Sequence, residues 1–272
     1  MSSIALVSDR NSLRNFLSFA SKGPKKWRVD VDMIHDTMFF NQWEEFRLMM
    51  INGQQDSGFG HAFEDIVTTR EFGLADSIHH ERVVRYELGG LECLVKFEAD
   101  TYIQMDEEIE RGESVGIATS KSPAPKPSKP VLKPSYKQVH VISRGHTIDA
   151  NSIAEIKSSS TAKFNITKAL PQLWFAQMKH LCVGYHKDGL VIQKLEMKDV
   201  SEQLREWEVG SQQHLKNMIR VIRELRDIAE VVYRLVVVCN TVDKVKCLSI
   251  FERQGNDMAI RPEVVERCWE RC

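Results

Sequence analysis

The sequence predicts an α/β fold in which helices flank a central mixed β-sheet. Segments with alternating apolar residues, typical of strands, recur along the chain, and segments with apolar residues at helical spacing lie between them. The 272 residues are 42% hydrophobic, which is enough to bury a substantial core. We therefore expect one compact unit of enzyme size.

The first elements are predicted to form an N-terminal elaboration, residues 1–57, packed on a main domain, residues 58–272. In order, the patterns predict a helix over 12–21, a strand over 27–33, an apolar patch of uncertain type at 38–40, a loop over 52–60 and a helix over 62–70. The loop is rich in glycine and glutamine, and it supplies the boundary between the two parts.

A hairpin follows, with Gly89 and Gly90 as its turn. Its arms are predicted over 82–88 and 91–102, which places Asp100 far out on the second arm. Later elements alternate strands with helices, and a long helix is the most prominent of them. In order, they are strands over 139–143 and 152–158, a helix-like segment over 166–183, hairpin strands over 181–185 and 190–197, a helix over 200–232, strands over 233–240 and 246–251, and a closing helix over 262–271.

Residues 106–137 form a long insertion that we expect to be disordered. The segment begins with acidic residues and then holds five of the eight prolines among lysines and serines, with few large apolar residues. Such a composition is typical of an extended, flexible linker. Strands on either side of it can still pair.

Asp100 and the tripeptide Glu155-Ile156-Lys157 are the candidate catalytic group. Side chains alternate between faces along a strand, so Glu155 and Lys157 would point the same way. Cleavage of a phosphodiester needs an activated water and neutralisation of charge on the phosphoryl oxygens. Mg²⁺ or Mn²⁺ provides both and prefers oxygen ligands, here Asp100, Glu155 and the backbone carbonyl of Ile156. Lys157 would orient or deprotonate the attacking water, or stabilise the transition state.

An E-x-K tripeptide alone is weak evidence, because the chain contains a second one, Glu196-Met197-Lys198. Four segments in a particular order supply the context, namely a helix start at 58–64, a strand ending at 97–100, a strand at 153–157 and a helix-like stretch at 169–177. In this order they resemble the PD-(D/E)xK nucleases, which have the restriction-endonuclease-like fold. The resemblance implies a metal-dependent nuclease that acts on DNA or RNA.

The resemblance also implies roles for further residues. The family's first helix carries a glutamate, so Glu64 would bind a second metal or orient the water. The family's last helix often carries a glutamine, and here Gln172 and Gln177 are both candidates, since Gln172 lies closer to the helix start and Gln177 shares its apolar stripe. His61, three residues before Glu64, could join the metal site, although a capping or packing role is commoner for such a histidine.

The chain departs from the family pattern in two respects. Ala99 stands where the family name has proline, and the separation of Asp100 from Glu155 is more than twice the common one, which the insertion explains. The chain is also similar to a group of uncharacterised fungal proteins that share a Gly-His-Ala-Phe-Glu segment and the same Glu-Ile-Lys.

Charge leaves a second interpretation open. A net charge of −1 differs from the basic balance of proteins that bind nucleic acid tightly and without preference, although Lys163, Lys168 and Lys179 could form a local basic rim. The alternative is a catalytically inactive nuclease-fold module that binds a protein or nucleic-acid partner. The neutral charge and the insertion favour the module, whereas the intact Asp, Glu and Lys set favours the enzyme. The oligomeric state stays open.

Composition also predicts the compartment. Six cysteines without a C-x-x-C pair indicate reduced thiols in a cytoplasmic or nuclear protein. We find no secretory signal and no apolar run of the roughly 18 residues needed to span a bilayer, so we expect no membrane partner.

Overall fold

The computed structural model describes residues 4–23, 26–43, 60–77, 79–104, 142–160, 163–187, 190–191, 195–242, 245–255, 260, 262 and 265–266. Within these residues the chain forms a seven-stranded and a five-stranded β-sheet with helices packed against them. The predicted α/β class, with a large mixed sheet, flanking helices and a long helix near the C-terminal end, is confirmed. The linker predicted over 106–137 and most of the helix predicted over 262–271 lie outside the described residues.

The elements alternate along the chain. In order, they are β1 (Leu6–Asp9), α1 (Arg10–Ala20), β2 (Trp27–Ile34), β3 (Thr37–Gln42), α2 (Gly60–Val67), β4 (Glu81–Leu88), β5 (Leu91–Glu98), β6 (Thr101–Tyr102), β7 (Ile153–Ser159), α3 (Leu170–Phe175), β8 (His180–Lys187), β9 (Leu190–Val191), β10 (Glu196–Asp199), α4 (Ser201–Val232), β11 (Arg234–Val242) and β12 (Val245–Glu252). Short 3-10 turns at Ala150–Ser152 and Ile166–Lys168 precede β7 and α3.

The large sheet has the strand order β12-β11-β2-β3-β1-β5-β4. β1 lies in its interior and runs parallel to both neighbours, β3 and β5, while the other pairs are antiparallel, so the sheet is mixed. The sheet takes strands from both sides of the predicted domain boundary at residue 57. That boundary falls within residues 44–59, outside the described part, and stays a prediction.

The main core lies between the large sheet and helices α1 and α4. Alternation along β2 turns Trp27, Val29 and Val31 to this side, where they pack with Phe16 of α1. The stripe predicted on the long helix forms the other wall, with Leu215, Met218, Ile219, Ile222, Leu225 and Ala229 buried. None of the described helices is long and apolar enough to cross a membrane.

The five-stranded sheet carries the candidate site. Its order is β10-β8-β7-β6, and β9 pairs with β8. β7 is parallel to β8 and antiparallel to β6, so it lies in the interior of this sheet. A separate apolar cluster that includes Phe97, Leu173 and Leu181 fills the space beneath it.

Two predictions about this region are wrong, and a third is tested only in part. The arm expected over 91–102 ends at Glu98, and the chain leaves the large sheet at Ala99 and Asp100 before pairing in the small one. Of the strand expected over 139–143, residues 142 and 143 form no strand, and residues 139–141 lie outside the described part of the chain. The helix expected over 166–183 is only the six residues of α3, because residue 177 takes a positive φ of 54° and β8 begins at His180.

The helix expected over 166–183 is too long for a physical reason. β8 is buried on both faces, so it reads as a nearly continuous apolar run in which helical and strand periods cannot be told apart.

Four of the six cysteines lie in the described part of the chain. Cys93, Cys182 and Cys239 are buried, Cys247 is partly buried, and all four are free thiols.

Candidate active site

Glu155 lies at the centre of the candidate site. Its side chain is only 1% exposed, in the interior strand β7. Lys157, two residues on, donates a hydrogen bond from Nζ to Oε1 of this carboxylate, so the two side chains share a face of the strand. A buried carboxylate needs such compensation, because burial of an unpaired charge is strongly unfavourable.

A second positive charge beside Glu155 comes from a residue near the start of the sequence. Arg10, the first residue of α1, donates from Nη1 to Oε2 of Glu155 at 2.9 Å, and its guanidinium lies 5.6 Å from the centre of the Phe97 ring. Asp9 caps the same helix by accepting from the backbone N–H of Ser12 at 2.8 Å.

Sequence reasoning missed Arg10. The available signal was its position, since a basic residue in the first turn of a helix opposes the helix dipole and therefore indicates a role elsewhere.

Asp100 lies in the connection between β5 and β6, next to this group. Its Oδ2 accepts a hydrogen bond from the backbone N–H of Ile156 at 2.8 Å. Burial, the negative charge of Glu155 and, to a smaller extent, that of Glu64 raise the pKa of Asp100 to about 7, although the Ile156 N–H and Lys157 act in the opposite direction. The carboxyl group therefore changes charge near neutral pH.

The carbonyl of Ile156 faces the same edge of β7 as Asp100. The N–H and C=O of one residue in a strand point to the same side. Because the N–H of Ile156 bonds to Asp100, its carbonyl oxygen also points to this edge, beyond the last residue of β7 that pairs with β6. The carboxylate of Asp100 and the carbonyl of Ile156 are thus neighbours at one strand edge, and the charge of Glu155 acts on Asp100 from the adjoining face.

Glu64 is carried to the site by helix α2. Phe63, its neighbour, is 3% exposed and packs against β7 and β8. Gly184 of β8 leaves the space for the aromatic ring, since a Cβ at that position would overlap it. Glu64 is partly buried, and its charge contributes to the raised pKa of Asp100. The side chain of His61 lies outside the described part of the structure.

The two candidate glutamines differ in position. Gln172, in the first turn of α3, donates from Nε2 to Oε1 of Glu155 and thus belongs to the group. Gln177 is exposed beyond the helix end, and its Nε2 donates to the carbonyl of Trp174 at 2.7 Å. The structure therefore brings Gln172 to the site and leaves Gln177 away from it.

The donor set fits a hard divalent cation. Carboxylate and carbonyl oxygens are the ligands that Mg²⁺ and Mn²⁺ prefer. Burial and, second to it, the negative charge of Glu155 raise the pKa of Asp100, and a bound cation would offset both effects. In the described residues no group of three or more His, Cys, Asp and Glu side chains could hold a metal. Water and substrate oxygens would have to complete the shell, as they usually do around Mg²⁺.

The second E-x-K tripeptide has a different environment. Glu196 and Lys198 form an ion pair of 2.8 Å on β10, where their side chains are 52% and 41% exposed. Exposed pairs of this kind contribute little to stability. Burial and the approach of Arg10, Asp100 and Gln172 thus distinguish Glu155 and Lys157 from the same motif on the surface.

A family model described as a domain of unknown function, DUF8563, matches residues 1–269. The chain belongs to this family. The search of curated proteins found no match.

The fold is similar to that of solved Rai1 and Dxo1 structures. Scheffersomyces stipitis Rai1 in complex with (3′-NADP)⁺ and calcium ion has a TM-score of 0.59 at 14% identity, over 97% of this chain and 70% of that one. Candida albicans Rai1 in complex with pU5 and Mn²⁺ has a TM-score of 0.53 at 11% identity, over 92% and 69%. K. lactis Dxo1 in complex with manganese has a TM-score of 0.55 at 11% identity, over 94% and 66%. At these identities the likeness shows a shared fold.

Proposed function

We propose that the protein is a divalent-metal-dependent nuclease that hydrolyses phosphodiester bonds of RNA. The observation that carries this proposal is the convergence of Lys157, Arg10 and Gln172 on the buried carboxylate of Glu155, beside Asp100 with its raised pKa. Buried ionisable groups with shifted pKa values concentrate at functional sites.

Each residue of the group has a distinct role in the proposed reaction. Asp100, Glu155 and the carbonyl of Ile156 would hold Mg²⁺ or Mn²⁺. Such a cation supplies charge for the phosphoryl oxygens and lowers the pKa of water. Lys157 places a compact positive charge beside the reacting phosphate. Arg10 fixes the carboxylate of Glu155 through its second oxygen.

Gln172 and Glu64 act from the helices on either side. Gln172 orients Glu155 by donating to Oε1. Glu64 is the candidate to orient the attacking water or to bind a second cation, and its influence on the pKa of Asp100 supports its proximity. The order of Asp100, Glu155, Lys157 and Gln172 along the chain supports membership of the PD-(D/E)xK nucleases.

The structural neighbours support the choice of ligand class. Candida albicans Rai1 was crystallised with pU5 and Mn²⁺, and K. lactis Dxo1 with manganese. An RNA substrate and a divalent cation would therefore suit the same fold here.

The decisive experiment uses 5′-phosphorylated RNA and DNA oligonucleotides, single- and double-stranded, with Mg²⁺ or Mn²⁺. We expect cleavage of RNA that stops in excess chelator. Lys157→Ala should lower kcat by at least about 100-fold, because it removes charge stabilisation and proton transfer at the phosphate. Lys198→Ala is the matched control, since it removes the lysine of the exposed E-x-K pair, and it should cleave like the wild type.

A second comparison tests the two glutamines. Gln172→Ala should lower cleavage, whereas Gln177→Ala should leave it unchanged. Cleavage that persists in chelator, or in Lys157→Ala, contradicts the proposal. Binding of RNA without cleavage by the wild type would favour the inactive module instead.

A further inference from the structure

A pocket of about 290 Å³ lies beside the candidate site, between α1 and the start of α3. Asn11, Arg14, Asn15, Leu17, Ser18, Ser21 and Pro171 line it. Pro171 directly precedes Gln172, which bonds to Glu155, so the pocket wall is continuous with the proposed reaction centre. The volume is at the lower end of the range for small-molecule sites, which suits a phosphate and its sugar better than a large cofactor.

Arg14 brings a positive charge to the pocket. It follows Arg10 by four residues, so the two guanidinium groups lie on the same face of α1. Burial and the positive charge of Arg10 lower the pKa of Arg14 from its ordinary value, while the carboxylate of Glu155 acts in the opposite direction. An arginine nevertheless stays charged in proteins.

Arg14 has only a neutral hydrogen-bond partner in the described part of the chain, although its side chain is partly buried. Its Nη1 donates to the neutral Oδ1 of Asn11 at 3.0 Å, and within the described residues it forms no ion pair. Arg10 differs, since it is paired with Glu155. A partly buried arginine without a carboxylate, beside a second arginine, favours an anion as the occupant of the pocket.

Asn15 supplies a second, independent indication of a ligand. Its side chain is polar and only 2% exposed, yet it lines the pocket. None of the described residues forms a hydrogen bond with its amide. The atoms of this amide are not among the enclosed polar atoms that lack a partner, so they are open to the pocket and available to a polar ligand there.

We propose that this pocket is a phosphate subsite, in which Arg14 and Asn15 hold a backbone phosphate of the nucleic acid next to the one that is cleaved. The assignment rests on the proposed nuclease function. Residues four apart on a helix are offset by about 6 Å along its axis, so Arg10 and Arg14 mark two adjacent positions along a bound chain. The subsite would fix the register of the substrate rather than take part in bond cleavage.

Two measurements on Arg14→Gln test the subsite. In the cleavage assay we expect KM to rise by about 10- to 100-fold with little change in kcat, because the contact to phosphate is the same in the ground and transition states. Arg14→Lys, which keeps the charge, should recover part of the loss. Arg220→Gln is the control, because Arg220 is an exposed arginine of α4 that is paired with Glu224 and does not line the pocket.

The second measurement does not depend on catalysis. With chelator present, millimolar inorganic phosphate should raise the Tm of the wild type and of Arg220→Gln but not that of Arg14→Gln. Equal responses of all three proteins, or an unchanged KM in Arg14→Gln, would overturn the subsite. If the wild type cleaves nothing, the proposed function fails, and the phosphate response alone then decides the pocket.

Discussion

The raised pKa of Asp100 makes the metal-free protein sensitive to pH in a direction that can be worked out. An aspartate with an ordinary pKa of 3.8 in the unfolded chain and about 7 in the folded protein binds its proton more tightly when folded. Its contribution to stability is therefore fully present below pH 3.8 and is lost as pH rises to about 7. The difference between these two pKa values corresponds to roughly 4 kcal/mol.

Asp100→Asn removes this cost while its amide oxygen can still accept from the N–H of Ile156. We expect the variant to be more stable than the wild type at pH 8, by up to about 4 kcal/mol, and the advantage to shrink by roughly 3 kcal/mol at pH 5. Urea unfolding in chelator at both pH values measures the difference. The variant should also lose cleavage. If the variant has no stability advantage, or the same advantage at both pH values, the raised pKa does not belong to Asp100.

Two further substitutions test how the site is held together. Arg10→Met should destabilise the protein by about 3 kcal/mol, because it removes a cation from the buried carboxylate of Glu155. Urea unfolding measures the loss, and a loss below about 1 kcal/mol would mean that the ion pair contributes no more than a surface pair. Gly184→Ala should cost about 1–3 kcal/mol and lower cleavage, since the new methyl group overlaps the ring of Phe63. Gly210→Ala on α4, where a Cβ meets nothing within 4 Å, is the control and should stabilise by up to about 1 kcal/mol.

The elements that the sequence predicts well are those in which apolar residues recur at a regular spacing. Alternation along β2 and the apolar stripe of α4 each bury one face, and a one-sided environment leaves a clear pattern in sequence. β8 has no such one-sided pattern, because a strand that is buried on both faces has no polar side to mark its period.

The site could be predicted only where residues are close along the chain or belong to a recognised order. Glu155 and Lys157 follow from strand alternation, and Gln172 followed from the resemblance. The position of Arg10 in the first turn of α1 indicates a role outside the helix, but its partner Glu155 lies 145 residues away and no local pattern identifies it. The same holds for the division into two sheets, which depends on where the chain turns at Asp100.

The pairing of β2 with β11 has a consequence for how the protein is made. A ribosome must release most of the chain before β11 can cover β2, so the edge of β2 stays open during synthesis, when an apolar strand can aggregate with other chains. Charged residues oppose such pairing, and β2 carries two of them, Asp30 and Asp32. Asp30 already has Arg28 of the same strand as a partner, whereas Asp32 gains its partner Arg253 only once β11 and β12 have paired.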